Sequence, residues 1–189
     1  DQGMARELLG LPSGKRLLLF GALNVTDKRK GIDYLIEALR RMEKQDVELV
    51  VFGQVKDDIR GLFPVPIHSM GYLSDESKIV ALYNAVDMFI TSSLEENLPN
   101  TIMESMACGT PCVGFEIGGI PEMIDHRVNG YVANYKDAGD LANGIQWVLE
   151  HEDRLALSDA CVKKVQENYT EEVVAKQYTA LYEKLLKGE

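Results

Sequence analysis

The sequence predicts an α/β domain with a mostly parallel sheet of five or six strands, helices on both of its faces and a helical C-terminal segment. Three observations carry this expectation. Apolar runs of strand length alternate with stretches of helical period over residues 16–132, the pattern of βαβ units. No strand-like run follows Asp137. The 189 residues, 46% of them hydrophobic, are enough for one domain with a substantial core.

The elements follow in order. Residues 1–11 read as a charged amphipathic turn and not as a signal peptide. The run 16–22 is a buried strand leading into a helix that places Ile32, Leu35, Ile36, Leu39 and Met42 on one face. Residues 47–52 form the next strand, closed by Gly53. An extended piece over 67–70 precedes Ser74, which is expected to cap a helix reaching Ala85 with Ile79, Leu82 and Tyr83 inward.

The chain returns as a strand over 87–91. A helix over 100–108 stops at Gly109, a residue suited to the left-handed C′ position, and 110–115 is strand-like again. Gly118, Gly119 and Pro121 mark a turn before a short helix and a strand at 130–132. Residues 137–186 are three helical stretches, with Trp147 core-facing beside Leu141, Ile145 and Val148. The whole is a single Rossmann-like unit over 1–189. In such sheets ligands sit beyond the carboxyl ends of the strands, so the loops after Ala22, Gly53, Met70, Thr91 and Phe115 are where chemistry is expected.

Charge and cysteine usage exclude several function classes. Thirty acidic against 20 basic residues leave a net charge of −10, and no Lys/Arg block is long enough to track phosphates, so nucleic acid is not an expected partner. Cys108, Cys112 and Cys161 are odd in number. Cys108 and Cys112 lack a second ligand pair and read as small core residues, and His68, His126 and His151 are not at metal-ligand spacing. No metal site is expected, and 150–153 reads as a solvated helix junction. No apolar run approaches the ~18 residues of a membrane span. A reduced cytoplasmic protein, and a piece of something longer, fits these features.

The most informative segment runs from Ser92 to Glu104, between a strand end and a helix start. A helix beginning near Pro99 points the free amides of its first turn at the mouth of the sheet, where an anion such as a diphosphate is favoured. Glu96 precedes that helix and Glu104 lies one turn inside it. Carboxylates beside a phosphate site repel it unless they bind something else, and sugar and ribose hydroxyls suit an ionised carboxylate. On spacing alone a second reading stands beside this one: acidic residues here complement the helix dipole, worth ~0.3–1 kcal/mol.

Glu96 and Glu104 are followed by Ser105-Met106-Ala107-Cys108-Gly109-Thr110-Pro111 and then by Gly118-Gly119-Ile120-Pro121-Glu122. In these residues the chain resembles the group 1 (family 4) glycosyltransferases, retaining enzymes of the two-domain GT-B fold. The similarity runs from the first strand to the last helix and is nearest to members acting in capsule, exopolysaccharide or lipopolysaccharide assembly. It implies that this chain is the nucleotide-sugar-binding, C-terminal domain, with the acceptor domain absent. Glu96 would hold a hydroxyl of the donor sugar, Glu104 the ribose, and the amides of Asn100 and Thr101 the diphosphate, with Asn97 and Leu98 beside them. The family usually has Phe-Gly where Leu98-Pro99 stands here, and proline has no amide to donate.

The cluster Lys28-Arg29-Lys30-Gly31 resembles the family's phosphate-binding loop, with Lys30 at its lysine. Ala22 follows Gly21 where the family normally places a second cation, and Lys28 or Arg29 is expected to compensate. A solvated loop is the plainer reading of this cluster. Gly71-Tyr72-Leu73 matches the loop that holds the base, which makes Leu73 a base contact, a hydrophobic staple for the next helix, or both. The resemblance implies a nucleotide sugar as donor, a saccharide or lipid-linked acceptor held by the other domain, no cofactor, and a cytoplasmic location, free or peripheral on a membrane. Two other readings stand against this one. A non-catalytic nucleotide-sugar-binding or regulatory module has no need of Glu96 or Lys30, and a dinucleotide-dependent oxidoreductase needs a G-x-G-x-x-G turn that Gly21-Ala22-Leu23-Asn24 does not provide.

Overall fold

Side chains of one strand enter two different apolar layers, and that alternation builds the domain. In β1 (Arg16–Asn24), Leu17 and Leu19 join one core cluster while Leu18 and Phe20 join another, as a pleat of period two requires. The computed structural model describes residues 1–24, 27–42, 46–54 and 61–187. Among them six strands form one sheet in the order β3-β2-β1-β4-β5-β6, with β2 at Val47–Gln54, β3 at Ile67–Gly71, β4 at Met88–Thr91, β5 at Cys112–Phe115 and β6 at Gly130–Ala133. Every neighbouring pair is parallel. With both faces covered, β4 and β5 are buried at every residue.

Helices cover each face. On one side lie α2 (Ile32–Arg41) and α6 (Ala138–Leu149), whose Leu35, Leu141 and Ile145 share a cluster with Leu18 and Phe20. On the other lie α1 (Gln2–Leu9), α3 (Glu76–Ala85), α4 (Asn100–Ala107) and the short α5 (Ile120–Met123), supplying Ala5, Leu82, Ile102 and Ile120. α7 (Arg154–Asn168) adds Cys161 to that side, and α8 (Glu171–Lys187) buries no residue. The chain steps outward from β1 to β3 and then crosses back to β4. The switch point therefore falls between β1 and β4, and the loops that leave these two strands share one edge of the sheet.

Several local expectations change. Residues 2–9 are a full helix, started by the Asp1 side chain, which accepts from Met4 N, and ended by left-handed Gly10. Asp75, and not Ser74, caps α3 by accepting from Ser77 N; a carboxylate at that position also complements the helix dipole. Met42 is the extended C-cap of α2 and not part of it. The 150–153 junction is only partly solvated, because the His151 ring stands edge-on to Trp147 with centroids 5.0 Å apart.

Asp87 was expected as a strand residue and instead fastens the amino ends of the strands. Its side chain is 2% exposed and pairs with Arg6 at 3.0 Å, Arg16 at 3.4 Å and Arg154 at 2.6 Å, and it accepts from Leu17 N at 2.7 Å. Arg6 donates further to the carbonyls of Ala85, Ser13 and Lys15. Such burial of charge is tolerated only because every polar atom is matched.

Candidate active site

At the switch point two loops are held together by their backbones. Asp27 starts the 3-10 turn Lys28–Lys30 by accepting from Arg29 N, and Gly31 closes it with a φ of 63°. Leu94 N donates to Arg29 O at 2.7 Å, and Ser92 Oγ donates to Lys30 O at 2.9 Å. The approach leaves no room for a side chain, since a Cβ on Gly31 would stand 1.9 Å from Ser92 O.

A second approach pins the acidic loop from the far side. Gly119 N donates to Asn97 O, and a Cβ on Gly118 would stand 2.1 Å from Glu96 O. Tyr135 adds a hydroxyl to Leu94 O at 3.0 Å. The segment between Leu94 and Asn97 is thus fixed by the loops after β1, β5 and β6 together.

The consequence is a contact between the two residues on which the sequence reading placed the chemistry. Lys30 Nζ meets Glu96 Oε1 at 2.5 Å, with side chains 31% and 14% exposed. They line an open depression of about 390 Å³ together with Arg29, Glu95 and Asn97. Arg29 pairs with Asp27 at 2.7 Å, and that guanidinium holds the Asp27 carboxyl below the usual carboxylate range.

Beside the depression α4 begins. Pro99 is its N-cap and no side chain caps the turn; Ile102 N bonds back to Pro99 O at 3.1 Å. The amides of Asn100 and Thr101 are left as the donors of the helix tip, and Pro99 contributes none. Leu98 is exposed and lies against Gly119. One turn into α4, Glu104 is exposed and its Oε2 accepts from the Tyr83 hydroxyl at 3.0 Å. Burial, then the charge of Glu104, pushes the Tyr83 hydroxyl pKa far up. Leu73 is half-buried and packs against the apolar cluster on the α3 and α4 side of the sheet. Among the described residues no group of three or more His, Cys, Asp and Glu is placed to hold a metal ion.

The family model described as glycosyl transferases group 1 matches residues 14–151, a span that takes in every strand and the whole of this site. The chain belongs to the group 1 glycosyltransferases. Its sheet is the Rossmann-like unit of their GT-B fold. The Campylobacter jejuni N,N'-diacetylbacillosaminyl-diphospho-undecaprenol alpha-1,3-N-acetylgalactosaminyltransferase is 33% identical over 62% of this chain and 31% of its own length. The amylovoran biosynthesis glycosyltransferase AmsK of Erwinia amylovora is 27% identical over 89% of this chain and 45% of its own. The fold is shared with Anabaena HepE in complex with UDP, at a TM-score of 0.82 and 21% identity over 97% of this chain and 52% of that one. The chain spans about a third to a half of the length of the curated relatives it matches.

Sequence reasoning singled out Lys30, Glu96 and the helix tip, of which the structure brings Lys30 and Glu96 into contact, but missed what holds them. Gly31 and Ser92 were quoted without a role, although a glycine straight after a basic turn is a signal of close backbone approach. Tyr83 was read from its helical spacing as a core residue, and its ring is; nothing in the pattern announces where its hydroxyl goes. Tyr135 carried no signal at all.

Proposed function

We propose that this chain is the donor-binding half of a retaining, metal-independent glycosyltransferase. It transfers a hexose or related sugar from a nucleotide diphosphate donor to an acceptor hydroxyl, in polysaccharide or lipopolysaccharide assembly. The single observation that carries this reading is the Lys30–Glu96 contact at the switch point, beside an uncapped helix start. A module that merely bound nucleotide sugar would not need to keep that pair. The names of the Campylobacter and Erwinia relatives support transfer to saccharide or lipid-linked acceptors, and the complex of HepE with UDP supports a nucleotide donor in this fold.

The chemistry follows from charge. A departing nucleoside diphosphate gains negative charge as the glycosidic bond breaks, and preorganised donors aimed at that charge lower the barrier. Lys30 Nζ and the amides of Asn100 and Thr101 are those donors here, with Arg29 a further cation once it leaves Asp27. As Lys30 turns to the phosphates, Glu96 is released to accept a hydroxyl of the sugar, which fixes the ring for attack. Glu104 takes the ribose and the loop at Leu73 the base. Same-face attack by the acceptor hydroxyl gives retention, and the acceptor arrives on a second domain outside these 189 residues. Alone, this half binds donor weakly and transfers little.

The test is a calorimetric screen of UDP-, GDP-, ADP- and dTDP-sugars against the full-length enzyme that carries this chain. Micromolar binding of one class is expected; binding of none of them overturns the proposal.

A further inference from the structure

Tyr83 is held more tightly than a core tyrosine needs to be. Its ring is 1% exposed and stands edge-on to Phe52 and Phe89, with centroids 6.2 and 6.1 Å away. Its carbonyl accepts from Thr110 Oγ1 at 2.8 Å, and the carbonyl of Thr110 accepts from Ser105 Oγ at 3.0 Å. Ser105 is the neighbour of Glu104 on α4 and is fully buried. A closed chain of contacts thus runs from α3 through the turn after α4 and back into α4. It aims one hydroxyl at one exposed carboxylate.

We infer that Tyr83 is a positioning residue for nucleotide recognition, whose hydroxyl donates to Glu104 Oε2 at 3.0 Å and holds that carboxylate in the one rotamer that receives the ribose hydroxyls. This rests on the donor-binding reading above. A glutamate on an exposed helix face otherwise gives up substantial rotamer freedom when a ligand captures it, and a fixed partner removes that cost before the ligand arrives. An ionised carboxylate has about four lone-pair sites. Tyr83 occupies one and leaves Oε1 and the rest of Oε2 for two vicinal hydroxyls. Burial and the adjacent charge raise the pKa of the phenol and so favour its protonated, donating form.

The test is a calorimetric comparison in the full-length enzyme, using UDP, GDP, ADP and inorganic pyrophosphate as probes. Pyrophosphate reaches the helix tip and Lys30 but has no ribose. Tyr83→Phe keeps the ring and its packing. The expected result is roughly 3- to 10-fold weaker binding of whichever nucleotide binds the parent, unchanged pyrophosphate binding, and no further loss when Tyr83→Phe is added to Glu104→Ala. Unchanged nucleotide binding overturns the positioning role and leaves the donor site standing. Equal losses for nucleotide and pyrophosphate, or a full loss persisting in the Glu104→Ala background, assign Tyr83 to the scaffold only and also overturn it. If no nucleotide binds the parent, the donor-binding reading fails and takes this inference with it.

Discussion

Lys30 and Glu96 are 66 residues apart in sequence, and their charged groups meet at 2.5 Å. The pair is thereby charge-balanced and partly desolvated, so neither group carries the penalty of an unpaired ion. A diphosphate that draws Lys30 away must supply the compensating charge itself, which selects for anionic donors.

Removing either partner is therefore expected to affect turnover more than binding. In the full-length enzyme, Lys30→Ala lowers kcat by about 100-fold or more, the loss typical of a donor aimed at developing charge. Glu96→Ala likewise lowers kcat while leaving nucleotide affinity nearly intact, whereas Glu104→Ala weakens nucleotide binding. Steady-state kinetics with calorimetry separates these outcomes. Equal and negligible effects of all three contradict the roles assigned.

Gly31 carries a prediction on stability. A Cβ there would stand 1.9 Å from Ser92 O, on a residue with a φ of 63°. Gly31→Ala is expected to cost about 1–3 kcal/mol through backbone strain and the displaced loop, which is roughly 2–12 °C in Tm for a chain of this length. Thermal unfolding measures it. An unchanged Tm would mean the two loops are not in contact.

The ion cluster at the opposite end makes a graded prediction. Asp87→Ala leaves Arg6, whose side chain is 7% exposed, buried without its counter-ion, at a cost of about 3–5 kcal/mol. Arg16→Ala removes a pair whose cation is 46% exposed at 3.4 Å and should cost less than about 1 kcal/mol. Urea titrations of the two variants would rank them in this order; the reverse order refutes the structural role given to Asp87.

Buried thiols carry a prediction for alkaline pH. Burial pushes the Cys112 thiol from its ordinary 9.0 to about 12, and burial raises Cys161 as well. Above pH 9 the unfolded chain releases these protons and the folded chain does not, so the folded state binds more protons and stability falls as pH rises. The window runs from about pH 9 to about pH 12. Denaturant midpoints should drop between pH 8.5 and pH 10.5, and replacing Cys112 with Ala or Ser should shrink the drop. A midpoint that holds level across that range is the contrary result.

How much of this was legible in the sequence depends on range. Period two against period 3.6 located the six strands and the helices from α2 onward, because burial against the sheet writes itself into local pattern; α1, read as a turn, escaped it because only Ala5 and Arg6 of its residues are buried. The stretch from Glu96 to Gly119 was legible because its chemistry and its glycines lie close together along the chain. Asp87 was not, since its three arginines lie 81, 71 and 67 residues away and no local rule pairs them. The cap of α3 was misplaced by one residue, where Ser74 and Asp75 both qualify and only the backbone decides. The Tyr83 hydroxyl was invisible for the same reason as Asp87: its partner is chosen by the packing of α3 on α4.

The central claim is tested most directly by mapping amide chemical shifts on this chain as the tightest-binding nucleoside diphosphate is titrated in. The largest shifts are expected at Lys30, Glu96, Asn100 and Thr101. Perturbations centred instead on the amino ends of the strands, around Asp87, Gly109 and Arg154, would contradict the assignment of the site.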